Sequence, residues 1–429
     1  MATIGRKLMT LAVAAALGGM ASSAVASGFA IGTQSGSGTG NAFAGGAAAA
    51  DDASVAWFNP AAMTLLPGMQ VAGALNIIKP SFKFSNNGST GAFLAPGTGE
   101  GGDGGDWVYV PNAFFTMAIN PRLSFGVAVN APFGLKTEYD DGWRGQRTAL
   151  TSEIKSVNIN PSVAYKVSDT VSIGGGVSAQ YLDAKLTSFV GTVPGPLQLG
   201  NQELKADDWG FGFNLGLLVQ ATPDTRIGAS YRSTIKFTLE GNQTFDGANG
   251  SLANAGVSAD LKVPDSFSLS VFHTLDSKWD LMGDITWTGW SSLQQLVVTR
   301  TSASVLGGVG STAASLPFQW DDSWRYSAGA NYKWDSQIKI RFGLALDKTP
   351  SNDATRTPRL PDQDRTWVAF GVQYRPSKSG ILDFGYAHEF IKDASVSTGA
   401  PGVACPPSCL NGTFKDKVDI FSIQYSHSF

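Results

Sequence analysis

Arg226-Ile-Gly-Ala-Ser-Tyr-Arg-Ser-Thr-Ile-Lys-Phe-Thr-Leu-Glu240 alternates, residue by residue, between two chemistries. Ile227, Ala229, Tyr231, Ile235, Phe237 and Leu239 fall on one side of an extended chain, while Arg226, Ser230, Arg232, Thr234, Lys236 and Glu240 fall on the other. A strand sends successive side chains to opposite faces, so the segment is greasy on one face and polar on the other. A soluble sandwich would cover the greasy face with a second sheet. An outer-membrane barrel turns it to lipid and lines its lumen with the polar face.

The end of the chain favours the barrel. In Val418-Asp-Ile-Phe-Ser-Ile-Gln-Tyr-Ser-His-Ser-Phe429, Phe421, Ile423, Tyr425, His427 and Phe429 share one face, and Ser422, Gln424, Ser426 and Ser428 share the other. A terminal aromatic closing an alternating strand resembles the C-terminal signature of bacterial outer-membrane barrels, the mark read by the barrel assembly machinery. Working back, tight turns rich in Asp, Asn, Pro and Ser fall at 120–122, 168–170, 222–225, 275–278, 334–336 and 375–378. Longer segments fall between them, near 86–106, 138–150, 188–205, 241–256, 301–316, 348–364 and 392–414. Short turns at one end and long loops at the other are the asymmetry of these barrels, and the breaks leave about fourteen strands, an even number. The fold class is therefore all-β, a transmembrane antiparallel β-barrel. Trp107, Trp143, Trp209, Trp287, Trp290, Trp320, Trp324 and Trp367 lie near strand ends, where an aromatic girdle is expected.

Composition agrees. Only 15% of the 429 residues are charged, against about a quarter in soluble chains. The net charge of -3, without a Lys/Arg cluster, gives no footprint for nucleic acid. Arg6 and Lys7, an apolar run from Leu8 to Ala16 and Ala24-Val25-Ala26 read as a cleaved signal peptide over 1–26. Cys405 and Cys409 are expected to form a local disulfide across a loop, since a metal site needs more ligands than stand nearby and no helix follows to activate a redox pair. His273, His388 and His427 lie in no recognisable nucleophile motif, so no enzyme, cofactor or metal is expected.

Ala47-Ala-Ala-Ala-Asp-Asp-Ala-Ser-Val-Ala-Trp-Phe-Asn-Pro-Ala-Ala-Met63 fits none of these strands. Small, acidic and ending on a rigid Asn-Pro, it reads as a plug for the pipe that follows. At this point the chain resembles the long-chain fatty acid outer-membrane transporters, the FadL group, which includes TodX-type hydrocarbon channels. The resemblance rests on Ser27-Gly-Phe29, Ala50-Asp-Asp52, Asn59-Pro-Ala61, Pro132-Phe-Gly-Leu-Lys-Thr-Glu-Tyr-Asp140 and Trp209-Gly-Phe-Gly-Phe-Asn-Leu-Gly216. Tyr231-Arg-Ser233, Trp290-Ser-Ser-Leu-Gln-Gln-Leu296, Pro361-Asp-Gln-Asp-Arg-Thr-Trp367 and Phe429 complete it, in order, over essentially the whole mature chain.

The resemblance implies an N-terminal hatch over 27–67 inside a barrel over 68–429. It implies uptake of hydrophobic compounds, fatty acids or hydrocarbons, past lipopolysaccharide and into outer-membrane lipid. It points to Phe29 as a gating side chain beside an interior pocket. The break at Pro132, Phe133 and Gly134 becomes a lateral opening in the third strand, since proline and glycine weaken a ladder. Asn59, Pro60 and Ala61 are expected beside that kink, the Asn59 amide bonding its freed backbone groups. Phe189, Val190, Val193, Leu197 and Leu199, with Phe245 and Leu252, are candidates for external capture. Asp362, Asp364 and Arg365 are expected to form a lumen ion-pair network. A fatty-acid pocket needs a cation for the carboxylate. Lys185 is the first candidate, with Arg144, Arg147, Arg232 and Arg300 as substitutes. A general porin, with an open charge-lined lumen, and a structural or adhesive barrel are the alternative readings.

Overall fold

The computed structural model describes residues 27–90, 97–192, 197–398 and 409–429. The expected signal peptide, Val193 and Cys405 lie outside the described residues.

Fourteen antiparallel strands form one closed sheet. They are β1 (Met69–Asn86), β2 (Val108–Asn120), β3 (Leu123–Asn130, resuming at Gly134–Glu138), β4 (Thr151–Lys166), β5 (Val171–Thr192) and β6 (Gln198–Thr222). Then come β7 (Thr225–Arg232 and Ile235–Phe245), β8 (Ala255–Val263 and Ser266–Thr274), β9 (Trp279–Thr288 and Gln295–Arg300) and β10 (Thr312–Pro317 and Ser323–Lys333). The last four are β11 (Ile338–Asp347), β12 (Arg365–Tyr374), β13 (Gly380–Ile391 and Ala394–Ser397) and β14 (Asn411–Ser428). β14 returns to β1, paired from Gln70↔Ser428 to Asn86↔Gly412, so the first and last strands leave no free sheet edge between them.

Side chains sort as a membrane demands. Ile173, Val177, Phe211, Leu215, Leu344, Phe370 and Phe421 stand exposed on the outer wall, whereas Asn76, Asn160, Asn214, Arg341 and Gln424 are buried inside. In β14 the alternation runs as its sequence predicts, with Phe421, Ile423 and Tyr425 out and Ser422, Gln424 and Ser426 in. The short turns also fall where expected, between β2 and β3, β4 and β5, β6 and β7, β8 and β9, β10 and β11, and β12 and β13.

Three local expectations change. Arg226–Glu240 is not one continuous strand: it breaks at Ser233-Thr234, and the break reverses the faces. Ile227 faces out, but Ile235, Phe237 and Leu239 are buried within the upper barrel. Next, 188–205 is no long loop. β5 and β6, 22 and 25 residues long, stay paired out to Thr192↔Gln198. About 9–11 residues suffice to span, so the hairpin projects well beyond the membrane. Finally, the tryptophans divide. Trp107 and Trp324 are exposed, while Trp143, Trp290, Trp320 and Trp367 are buried inside the barrel. The last four fill lumen space: Trp143, Trp290 and Trp320 sit in segments between stretches of strand, and Trp367 is on the lumen face of β12.

The lumen of so wide a barrel would be open water if unfilled. The chain ahead of β1 fills it with α1 (Gly36–Thr39), α2 (Val55–Phe58) and a 3₁₀ turn (Pro60–Leu65). Short polar caps hold these pieces: Ser35 Oγ accepts from Gly38 N, and Asn59 Oδ1 accepts from Ala61 N. The wall thins to receive them. A Cβ on Gly228 would stand 1.9 Å from Ala47 O, and one on Gly216 would stand 2.1 Å from Asn59 Oδ1. Charge fastens the other side, where Arg341 reaches Asp51 at 2.8 Å and Asp383 at 3.0 Å.

Candidate functional site

β3 is interrupted at Ala131-Pro132-Phe133, and its two neighbours respond differently. The β4 side stays attached, through Phe133 N donating to Ser156 Oγ at 2.9 Å. On the other side the β2 ladder ends at Ala113↔Val129, and Val108–Asn112 pairs only with β1. Proline has no N–H to give and its bend carries the chain inward, leaving a seam between β2 and β3.

The hatch occupies that seam. Ile31 N donates to Pro132 O at 2.8 Å and Gly134 N to Phe29 O at 2.9 Å. Gln34 Nε2 reaches Ala131 O at 3.1 Å, while its Oε1 accepts from Asn130 Nδ2 at 2.7 Å. Gln34 O accepts from Asn112 Nδ2 of β2 at 2.8 Å. Thus both lips of the seam bond to the hatch rather than to each other.

Phe29, buried, sits in an aromatic nest. Its ring centroid lies 4.8 Å from Trp290, 5.8 Å from Phe133 and 5.9 Å from Trp320. Gly28 N, just before it, donates to Asp362 Oδ2 at 3.0 Å. Next to the nest lies a cavity of about 250 Å³. Ala30, Ile31, Phe43 and Phe58 of the hatch, Pro132 and Phe133 of the seam, and Phe213, Ile235 and Val263 of the wall give it an apolar lining. Arg232, Arg325, Gln180, Asp284 and Asp347 supply polar atoms. The cavity therefore joins hatch, seam and wall.

Asn59 does not bond the kink. Its Nδ2 donates to Ala47 O at 2.6 Å and Leu217 O at 2.9 Å, tying the hatch to β6 instead. Pro60 and Ala61 pack with it, against Gly174 and Gly216. The seam partner is Gln34, which the sequence reading missed because a lone glutamine carries no pattern.

Lys185 is not in the cavity. It lies beyond it on the β5–β6 hairpin, paired with Glu203 at 2.8 Å. Among the substitutes, Arg144 bonds Thr98 O, Arg147 bonds Val190 O and Arg300 bonds Thr312 O, all in the external region. Arg232 lines the cavity, and so does Arg325, which the sequence reading overlooked.

Val190 and Leu197 join Leu199, Phe245 and Ala253 in a small apolar cluster at the hairpin tip, with Phe189 packed against the larger upper core. Leu252 is exposed beside them. Asp362 and Arg365 pair in the interior, and Arg365 also holds Glu389 at 3.0 Å. Asp364 departs from them, facing outward to Lys348 at 2.7 Å and Lys392 at 3.2 Å. Cys409 is disulfide-bonded.

A hatch-closed barrel with an apolar cavity beside an interrupted wall defines a transport protein for molecules that prefer lipid to water. The chain belongs to the family of outer membrane protein transport proteins (OMPP1/FadL/TodX), which matches residues 17–429. It is 28% identical to the long-chain fatty acid transport protein of Escherichia coli K12 over 91% of this chain and 93% of the relative. The solved structure of a Pseudomonas aeruginosa FadL homologue superposes with a TM-score of 0.83 at 26% identity, covering 94% of this chain and all of that one. The Pseudomonas putida toluene transporter TodX shares the fold, with a TM-score of 0.70 at 17% identity over 94% of this chain and 99% of its own. This protein is accordingly a transport channel of the Gram-negative outer membrane.

Proposed function

We propose that the protein carries a hydrophobic compound, a fatty acid or hydrocarbon, from outside the cell to the outer-membrane interior. The observation that carries this reading is the cavity's shared boundary: Phe133 belongs both to its lining and to the seam that only the hatch closes. Capture falls to the apolar cluster at the tip of the projecting hairpin, where Val190 and Leu197 stand partly exposed over buried Leu199 and Phe245. Burying apolar area is worth about 25 cal/mol per Å², so the molecule moves to the larger apolar surface below. There it competes with Phe29 for the aromatic nest. Displacing Phe29 pulls on Gly28–Gln34 and frees Pro132 O and Gly134 N, opening the seam laterally to lipid. Asn59 keeps the other half of the hatch on the wall meanwhile. Phe429, exposed at the end of β14, is the residue offered to the barrel assembly machinery.

The test is uptake of a labelled fatty acid and a labelled monoaromatic by cells carrying the wild type or a variant in which Pro132-Phe133-Gly134 is replaced by a ladder-completing Val-Thr-Val. Loss of uptake with normal surface amounts supports the lateral route. Undiminished uptake removes the seam from the mechanism, and a steady large ohmic pore in wild-type bilayer recordings would restore the porin reading.

A further inference from the structure

We propose that Arg232 is a latch on the hatch, released when the carboxylate of an amphipathic acid enters the cavity. Arg232 ends the lower part of β7 with its guanidinium on the inner face. It stacks on the Trp57 indole, 3.3 Å from the ring centroid, and donates from Nη2 to the Trp57 carbonyl. Its other contact, to Asn160 Oδ1, is stretched to 3.5 Å. Among the described residues no carboxylate pairs with it. Arg341 and Arg365, also inside the barrel, each hold two carboxylates. A guanidinium withdrawn from water and served only by neutral acceptors is incompletely satisfied.

The cavity supplies a second donor in the same condition. Gln180 is 1% exposed, lines the cavity from β5, and its Nε2 has no hydrogen-bond partner among the described residues. A guanidinium served only by neutral acceptors and an amide donor without a partner, around one apolar cavity, suit a group with two acceptor oxygens and no donor. An ionised carboxylate is that group, and an aliphatic tail suits Phe58, Phe213, Ile235 and Val263. Asp284 also lines the cavity, but it already accepts from Ser268, Ser270 and Thr286.

Charge-assisted hydrogen bonds are roughly twice as strong as neutral ones. The bond to the Trp57 carbonyl has one charged partner, whereas a ligand carboxylate brings the opposite charge and two oxygens for the guanidinium fork, and so outcompetes the carbonyl. Trp57 lies in α2, two residues before Asn59, so its release removes one of the ties of this half of the hatch to the wall, beside those of Asn59 to Leu217 O, Thr64 to Ser172 and Ala47 to Ser270. A neutral hydrocarbon fills the same space without moving the latch. The proposal rests on the cavity being the transport site.

The experiment uses the purified full-length barrel with a long-chain fatty acid and the fatty alcohol of equal length. Wild type should bind the acid about tenfold or more tightly than the alcohol. Arg232→Gln should bring the ratio of acid to alcohol affinity down to about one, while Arg232→Lys keeps part of the preference. A reporter cysteine at the buried Ala56 position, Ala56→Cys, should react with a maleimide several-fold faster with the acid and not with the alcohol. In the Arg232→Gln background it should react fast without ligand. Equal wild-type affinities, a preserved preference in Arg232→Gln, or labelling indifferent to the acid each overturns the latch. Alcohol binding without acid preference removes the latch alone, whereas binding of neither probe overturns the transport reading beneath it.

Discussion

At the scale of single residues, the hatch is fastened by two anchors of opposite chemistry. Phe29 is the apolar one, and its nest of Trp290, Trp320 and Phe133 is lost together when the ring is removed. Truncating a buried phenylalanine costs about 3–5 kcal/mol, here as local undocking because the barrel ladder is untouched. Phe29→Ala should therefore speed hydrogen exchange at the Ile31 and Gly134 amides, whose acceptors are Pro132 O and Phe29 O, while the thermal midpoint of the barrel stays put. Unchanged exchange would mean that the nest does not hold the seam shut. Asp51 is the polar anchor. Burial pushes its carboxyl up, but Lys339 and Arg341 outweigh burial and hold it below the usual carboxylate range. A folded-state pKa lowered in this way stabilises docking fully above the unfolded value, about 4, and the gain is lost only as pH falls through the folded value beneath it. Hatch docking, read as protection of Ala56→Cys from a dithiodipyridine, a thiol reagent that still reacts in acid, should thus persist from neutral pH to about 4 and weaken only in stronger acid. Asp51→Asn should show the weakened state at neutral pH.

At the scale of elements, the wall is shaped for its plug. Gly228 on β7 and Gly216 on β6 face inward where Ala47 and Asn59 press against them. Gly228→Ala places a methyl group inside contact distance of a backbone carbonyl, and packed interiors transmit such strain instead of absorbing it. The hatch should lift from β6 and β7, giving flickering conductance in bilayers and proteolysis between Ala47 and Asn59. A silent, protease-resistant Gly228→Ala would show that hatch and wall are separable. These contacts also show what a sequence can tell. Period two, turn residues and an even strand count were legible because every strand meets the same two solvents, lipid and lumen. The Ser233-Thr234 reversal was hidden, since after Ser233 the apolar residues Ile235, Phe237 and Leu239 return in the same register as Ile227, Ala229 and Tyr231 while the environment changes around them. Pro132 and Gly134 announced a weak strand, yet not that Gln34 and Ile31 would bond there. Partners a hundred residues apart leave no local pattern. Lys185 misled for the reverse reason: its neighbours in sequence do not include Glu203, which neutralises it.

At the scale of the whole molecule, the barrel and the hatch divide stability from gating. The ladder closes on itself from β1 to β14, so its hydrogen bonds persist whatever the hatch does. The hatch, by contrast, has only short helices and little regular structure, and owes its shape to the wall. Deleting Gln34–Thr64 while keeping the residues that lead into β1 should leave a folded, membrane-inserted barrel. That variant should conduct ions steadily, because fourteen strands enclose a lumen too wide for side chains alone to fill. Uptake of a hydrophobic compound should fall even so. A water-filled pore offers such a molecule no apolar surface, and the cavity loses Phe43, Trp57 and Phe58 with the hatch. The pairing of outcomes matters: a general porin would gain both conductance and uptake on unplugging, whereas a lateral channel gains the first and loses the second. Conductance in planar bilayers and uptake in whole cells, measured on the same variant, separate the two. An increase in both would overturn the assignment of the hatch as part of the substrate path.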